Sequence, residues 1–492
     1  MKVKAFEDFG DGLDVRKPVN LDDPTTLRVL ENAYITQGKN IHRRPGLKKV
    51  GTIAVGSSSD EVGLCAVNGK LHTFSVNATG TQTLDDGAEL ITHHIKYDDG
   101  KASEMTVFDQ RESRATGDRE PMYVNFAGGF NRGMYASIKF GNNKSLHYYI
   151  PEDEWGGNSK SPIADSKCPH SSKVTIAQSK VYASDGETVA YCATGEPTDW
   201  SKDNDAGFLP TGDRSPGNSI CTGLGVVSNR LCVFHEDAIQ IWAVDPDPAR
   251  NELEEQLAGI GTRHYQSITS ASKDLYFLSE NGVRSIGGQS MYRNMKGSDV
   301  GSPIDKIVRE FIKTDDGRVD SQFYPGQGQY FLTLKDDTYV LTKSERDKIE
   351  AWSLYKFSIP FGQMAHLGEK LYVRYQDSIY VLDEDLTNDD GNQFNVVMES
   401  PFYGFGTEGQ YKLFQSMEAI LEGYGTIDHG VNPNNLDDRT ASFQLGGDTR
   451  IVPSLPLGIL APALSTRIIG DAATLKSINS LIYRYEPTAG GI

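Results

Sequence analysis

Several sets of residues in this 492-residue chain have types and spacings that could do chemistry. Gly404-Phe405-Gly406-Thr407-Glu408-Gly409 fits the GxGxxG letters of a dinucleotide loop. Such a loop works only between a parallel strand and a helix whose N-terminus meets the pyrophosphate. No βαβ alternation surrounds this one, so a glycine-rich turn is expected. Acid pairs precede glycine at Asp85-Asp86-Gly87, Asp98-Asp99-Gly100, Asp315-Asp316-Gly317 and Asp389-Asp390-Gly391. A glycosidase needs two carboxylates flanking one bond, whereas Asp-Gly steps serve turn geometry. None of the four has the spaced acids of an EF-hand. His93 and His94 are consecutive in a strand-like run, which sends their imidazoles to opposite faces. The five cysteines (65, 168, 192, 221 and 232) form no CxxC pair and no zinc-spaced cluster, and free buried thiols are expected. Walker A, HExxH and GxSxG motifs are absent. Sequons at Asn77-Ala78-Thr79 and Asn143-Lys144-Ser145 gain meaning only with secretion. No catalytic, cofactor-binding or metal-binding residue is assigned, and a chain without enzymatic activity is expected.

The bulk numbers narrow the classes further. Basic residues number 49 against 67 acidic ones, a formal charge of −18. That balance argues against a protein that binds nucleic acid by neutralising phosphates. It leaves room for a protein past which DNA slides without sticking. The opening MKVKAFEDFGDGLDV has no apolar core of a signal peptide, and no run of about 18 apolar residues predicts a membrane span. A reducing, soluble setting is expected.

The elements that position these residues are strands. A short aromatic-rich strand recurs at Leu71, Met122, Val181, Leu231, Leu275, Tyr330 and Leu371. Most copies run into a polar turn and a second strand, as in LYFL-SENG-VRSIG at 275–287. Period-2 alternation around Asn-Gly, Asp-Gly or Asp-Ser turns predicts hairpins, because such turns accept positive φ and match strand twist. A unit of this size cannot bury its apolar face alone, so units must stack or close into a ring. The expectation is an all-β fold: a β-propeller of about six or seven blades over 52–390. Two separate β-sandwiches would explain the strands but not their recurrence. Short helices are predicted in DPTTLRVLENA (23–33), where an acidic cap precedes proline, and at about 303–312. NELEEQL (251–257) offers one or two further turns. Residues 1–51 then form an N-terminal arm with a short helix. Residues 391–492 form an added antiparallel β-region, with strands at Phe394–Glu399, Lys412–Glu422, Ala441–Leu445 and Ser480–Tyr485 separated by Gly/Pro-rich stretches such as Val452–Pro462. Edge strands in that region could pair with a neighbouring subunit.

The first fifty residues carry a pattern: Phe9-Gly10-Asp11-Gly12-Leu13, then Asp23-Pro24, Leu30-Glu31-Asn32-Ala33, and Arg43-Arg44-Pro45-Gly46. A second phrase is Val181-Tyr182-Ala183-Ser184 followed by Gly195-Glu196-Pro197-Thr198-Asp199-Trp200. Together they resemble the tail nozzle (tail tubular) and packaged-DNA-stabilisation proteins of short-tailed bacteriophages. Asp11 departs from that pattern, where glycine is usual. The resemblance implies a structural virion protein without cofactor that assembles with copies of itself, six being usual for the group. It would form a ring-shaped conduit below the portal-adaptor ring, in contact with tail fibre, spike or tip proteins. Such a ring retains the packaged genome and lets double-stranded DNA pass at ejection. It implies a place in the virion tail, after assembly in the host cytoplasm. The positions matching the motif, Phe9, Gly10, Gly12, Leu13, Asn32, Arg43, Arg44, Pro45 and Gly46, become the expected assembly contact. An acidic lumen would repel phosphate.

The basic run His42-Arg43-Arg44 with Lys48-Lys49 stands out in an acidic chain. Pro45-Gly46 turns the backbone there, presenting an arginine fork for a carboxylate of its own propeller or of a neighbour. The rival class is a carbohydrate-binding or glycan-degrading propeller, with Trp155, Trp200, Trp242 and Trp352 available to stack on sugars; most of these are expected as blade-core fillers.

Overall fold

The computed structural model describes residues 1–16, 23, 25–53, 62–75, 78, 80–97, 108–110, 121–140, 145–155, 160–214, 219–271, 273–287, 299–314, 319–406, 409–446 and 451–488. The architecture is a β-propeller joined to an antiparallel β-unit. Seven first strands stand side by side among the described residues: Gly63–Val67, Pro121–Phe130, Val174–Ala177, Gly223–Val227, Thr269–Ala271, Val319–Tyr324 and Gln363–Leu367. Each touches the next, and the last touches the first, so the ring closes. Behind each lies a second strand that is almost entirely buried, such as Gln329–Leu334 and Lys370–Tyr375. Two-residue turns with positive φ at both positions, Asn68-Gly69, Gln178-Ser179 and Ser228-Asn229, join first to second strands. That is the hairpin geometry whose twist suits paired strands.

The recurring aromatic strand marks these second strands in six copies. The exception is Met122, which lies in the first strand Pro121–Phe130; the equivalent second strand is Gly133–Phe140, carrying Met134-Tyr135-Ala136-Ser137. The first blade is irregular outside its hairpin, since Glu89–Tyr97 pairs in parallel with Lys70–Ser75. The last blade is completed by the N-terminal strand Gly46–Thr52, antiparallel to Ser378–Asp383. The start of the chain thus closes the ring that its residue 383 leaves open.

The terminal segments build one β-unit. Lys412–Gly430 runs through it, with Leu475–Pro487 and Ser465–Asp471 along one side and Ile451–Ala461 and Phe443–Gly446 along the other. Lys2–Phe6 adds to Leu475–Pro487, which also pairs Ile41–Arg43. Val29–Glu31 sits between Asn395–Glu399 and the last strand of blade six, Ile349–Tyr355, making one sheet continuous from propeller to β-unit.

Several expectations are corrected here. Described residues of 23–33 include the strands Thr26–Leu27 and Val29–Glu31, not a helix. The local cap chemistry loses to pairing with strands far along the chain. NELEEQL is strand Glu252–Ala258, the outer strand of blade four. Val452–Pro462 is largely strand Ile451–Ala461 rather than a connecting stretch. Strands within residues 1–51 pair with the β-unit, with blade six and with the last blade. The helix expected at about 303–312 is present as Asp305–Thr314, preceded by a single 3-10 turn at Ser302–Ile304. The acid pairs at 98–100 and 315–317, and all or part of both sequons, lie outside the described residues.

Candidate functional site

Arg44 occupies the seam between propeller and β-unit, and its guanidinium is fully buried. All five of its N–H groups are used. Nε donates to the Asn32 side-chain oxygen at 2.9 Å. Nη1 donates to the Pro45 carbonyl at 2.9 Å and to Asp389 Oδ1 at 2.8 Å. Nη2 donates to the Lys356 carbonyl at 2.9 Å and to Asp389 Oδ2 at 2.8 Å. The two faces of the guanidinium are covered by Phe357, with its ring centre 4.2 Å away, and Phe394 at 3.6 Å. Asp389 also accepts from the Ser358 amide at 3.1 Å. A buried ion pair survives only when geometry and hydrogen bonds are this complete.

Asn32 braces the same point. Its backbone is left-handed, with φ of 54°, a conformation asparagine tolerates better than most residues. Its side-chain oxygen also accepts from the Lys356 amide at 2.8 Å, and its amide donates to the Asn395 carbonyl at 2.8 Å. Gly12 has φ of 60°, and a Cβ there would stand 2.8 Å from the Trp352 carbonyl oxygen. A Cβ on Gly46 would run into the Asn388 carbonyl and the Leu386 side chain. Phe9 and Leu13 are buried in the apolar core that the β-unit shares with blades five and six.

Eight of the nine residues expected at an assembly contact, Phe9, Gly10, Gly12, Leu13, Asn32, Arg44, Pro45 and Gly46, are buried within the chain. Arg43 is half-buried and donates to the Ala472 carbonyl at 2.9 Å. Within the chain these residues join its own segments, and Arg43 keeps part of its side chain at the surface. Of the two carboxylate partners left open for the arginine fork, Arg44 takes one in its own chain. The residues missed from sequence are Asp389, Phe357 and Phe394. Asp389-Asp390-Gly391 is a turn as expected, but φ is positive only at Asp390 and Gly391; that leaves Asp389 free to face inward.

The second concave feature is the propeller's channel. A cavity of 590 Å³ is walled by first strands and the loops beside them, with Asn125, Lys173, Tyr265, Gln266, Asp320 and Ser321 supplying polar groups. Tyr265 donates to the Asn125 side-chain oxygen at 2.8 Å, and Asn125 donates to Ser145 at 3.1 Å. The Ser321 hydroxyl donates to the Gln266 carbonyl at 3.0 Å. Burial pushes the Tyr265 phenol up to about 12, so it stays neutral. Hydroxyls and amides here satisfy one another, giving a polar, weakly charged wall with no paired carboxylates.

The nearest approach to a nucleophile is Cys168, whose Sγ lies 3.6 Å from His147 Nδ1. His147 Nε2 donates to the Ser171 carbonyl at 2.7 Å, which leaves Nδ1 as an acceptor, and the Tyr135 hydroxyl fills it at 2.8 Å. Burial pushes His147 down to about 4 and Cys168 up to about 12. A thiol and imidazole held neutral in this way do not make the thiolate that nucleophilic catalysis needs. All five cysteines are free. His93 is buried and stacks on His72 with rings 3° from parallel, while His94 is half-buried on the other side of its strand. Around Gly404–Gly409 the described residues form a turn that leads into strand Lys412–Gly430, not a helix. Trp200, Trp242 and Trp352 are buried, and their indoles donate to Pro197, Gln240 and Val300. No helix among the described residues is long and apolar enough to cross a membrane.

No family model matches the chain, and no curated protein matches it. Among solved structures, the Neurospora crassa Pan2 WD40 domain is similar to it at 9% identity and a TM-score of 0.33, over 77% of this chain and 94% of that one. A likeness at that level carries no argument about function. The propeller stands on its own strand order and ring closure.

Proposed function

We propose that this chain is a structural subunit of a short-tailed phage tail: a nozzle component whose copies form the conduit below the portal-adaptor ring. In this reading it is not an enzyme, it works in the virion tail after assembly in the host cytoplasm, and double-stranded DNA passes it without sequence-specific contact. One observation carries the reading. Motif residues Asn32, Arg44, Pro45 and Gly46 meet Asp389 and its turn in one buried seam, and Phe9, Gly12 and Leu13 are buried in the same chain. A motif with that job is a signature of how this combination of propeller and β-unit is held together, rather than a chance run of letters. The formal charge of −18 suits a wall that DNA must leave. The test is gold-labelled antibody against this chain on virus particles from a culture that makes it, viewed by electron microscopy. Label at a short tail under one capsid vertex is expected; particles without label, with the protein left soluble, overturn the reading.

A carbohydrate-binding or glycan-degrading propeller is the second reading. The observation on its side is the 590 Å³ channel, whose hydroxyl and amide lining suits a neutral polyhydroxy ligand. A glycan array with the purified chain decides it, and a blank array removes it.

A further inference from the structure

Helix Asp305–Thr314 turns a cationic stripe outward. Lys306, Arg309 and Lys313 are exposed and recur at steps of three and four residues, which places them on one face. Across a groove of 780 Å³ stand Arg16 and Arg28 from the N-terminal segment. Five cations thus line one depression in a chain whose formal charge is −18. Acids of the chain already hold three of them, Arg16, Arg28 and Arg309, and leave the two lysines of the helix. Asp14 is taken by Arg16 at 2.8 Å, and Asp305 is shared by Arg284 at 3.3 Å and Arg309 at 3.5 Å. Lys306 and Lys313 have no carboxylate within ion-pair distance among the described residues, although Glu310 also lines the groove.

We propose that this groove docks an acidic segment of another protein chain. Charge complementarity favours a polycarboxylate. Arg16, Arg28 and Arg309 are held by carboxylates of this chain (Asp14, Glu399 and Asp305), so Lys306 and Lys313 are the exposed cations that meet a partner's carboxylates. Val15 and Val29 give the groove apolar wall on which the stems of glutamates or interspersed apolar residues can pack. A nucleic acid fits worse. Asp14, Asp305 and Glu310 interrupt the cations, and an unbroken phosphate backbone must face these acids, whereas a peptide can place uncharged residues opposite them. The inference stands on charge and shape and does not depend on the tail reading.

The experiment uses the full chain and a fluorescein-labelled peptide of alternating glutamate and leucine, followed by anisotropy at about 50 mM salt, where surface charges still act beyond 10 Å. Saturable binding is expected for the native chain and none for the matching glutamine–leucine peptide. The K306E/K313E variant, which alters only exposed side chains, is expected to bind roughly tenfold more weakly or worse. K306Q/K313Q should fall between, and K48E/K49E, which changes an exposed pair elsewhere, should bind as the native chain does. Circular dichroism confirms that each variant is folded. No binding by the native chain, equal binding by K306E/K313E, or competition by oligothymidylate as strong as by unlabelled peptide would each overturn the proposal.

Discussion

Arg44 meets Asp389 across 345 positions of chain, and each is fully buried. Removing one member leaves the other charge buried and alone. Arg44→Ala is expected to lose about 3–5 kcal/mol of stability, read as a shift in the urea unfolding midpoint of the purified chain. The double change R44M/D389L should lose less than R44A, because an apolar pair leaves no orphaned charge. Arg43→Ala breaks one half-exposed hydrogen bond and should cost about 1 kcal/mol or less. The adjacent arginines look alike in sequence, and only the fold separates them. That an arginine fork here would seek a carboxylate was legible, since Pro45-Gly46 fixes the turn; which carboxylate was not, because Asp389 sits in an ordinary Asp-Asp-Gly turn. Buried histidines make a second residue-level case. Burial pushes His72, His147 and His429 each down to about 4, and neither ring nitrogen of His429 has a hydrogen-bond partner among the described residues. Below about pH 6.5 the unfolded chain takes up protons that the fold refuses, so stability is complete above that value and falls as pH drops towards about 4. Asp428 and Arg439 face His429 with opposite effects, the acid raising and the arginine lowering it. Carboxylates held low, such as Asp86 and Asp205, act only below that window. Urea midpoints measured from pH 7.5 to 4.5 should decline, and His429→Leu should make the decline shallower; a flat profile would count against the buried neutral imidazoles.

At the scale of elements, the propeller was legible and the terminal strands were not. A blade repeats one local signal, an aromatic-rich strand, a positive-φ turn and a returning strand, so its evidence lies within a few residues. Seven copies give seven blades, with one copy displaced by a strand at Met122. DPTTLRVLENA has helix-start chemistry, yet Val29–Glu31 is held by Asn395–Glu399, a partner that no local reading can supply. NELEEQL fails for another reason. Its leucines at 253 and 257 are four apart, a spacing that satisfies both a helix and a strand, and pairing with Ala238–Ala243 decides for the strand. The strand that closes the ring, Gly46–Thr52, carries its own test. Gly46→Ala must push the Asn388 carbonyl or the Leu386 side chain aside, so amide hydrogen exchange across 46–52 and 378–383 should quicken while exchange in blades three and four stays unchanged. Uniform quickening would mean that closure is not local to this blade.

At the scale of the molecule, both termini fold together, and the ring is closed from both sides. Blade seven takes its outer strand from the start of the chain, while Arg374 in its second strand donates to the Gly63 and Phe74 carbonyls and to the Ser75 hydroxyl of blade one. The β-unit likewise needs Lys2–Phe6, Val29–Glu31 and Ile41–Arg43 to flank its C-terminal strands. An N-terminal docking arm and an N-terminal structural strap make opposite forecasts for a chain that begins at residue 46. A docking arm could be removed and leave a folded monomer that merely fails to assemble. A strap cannot, because its loss uncovers the edge of Leu475–Pro487, the apolar contacts of Phe9, Leu13, Leu27 and Leu30, and the carboxylate of Asp389. The truncated chain 46–492 is therefore expected to aggregate, or to be cut rapidly by trypsin within 395–487 while the propeller resists. Supplying residues 1–45 as a separate peptide should restore protection, since the strap acts through pairing and burial rather than through covalent continuity. A truncated chain as resistant as the whole one would return the N-terminal segment to the role of an arm.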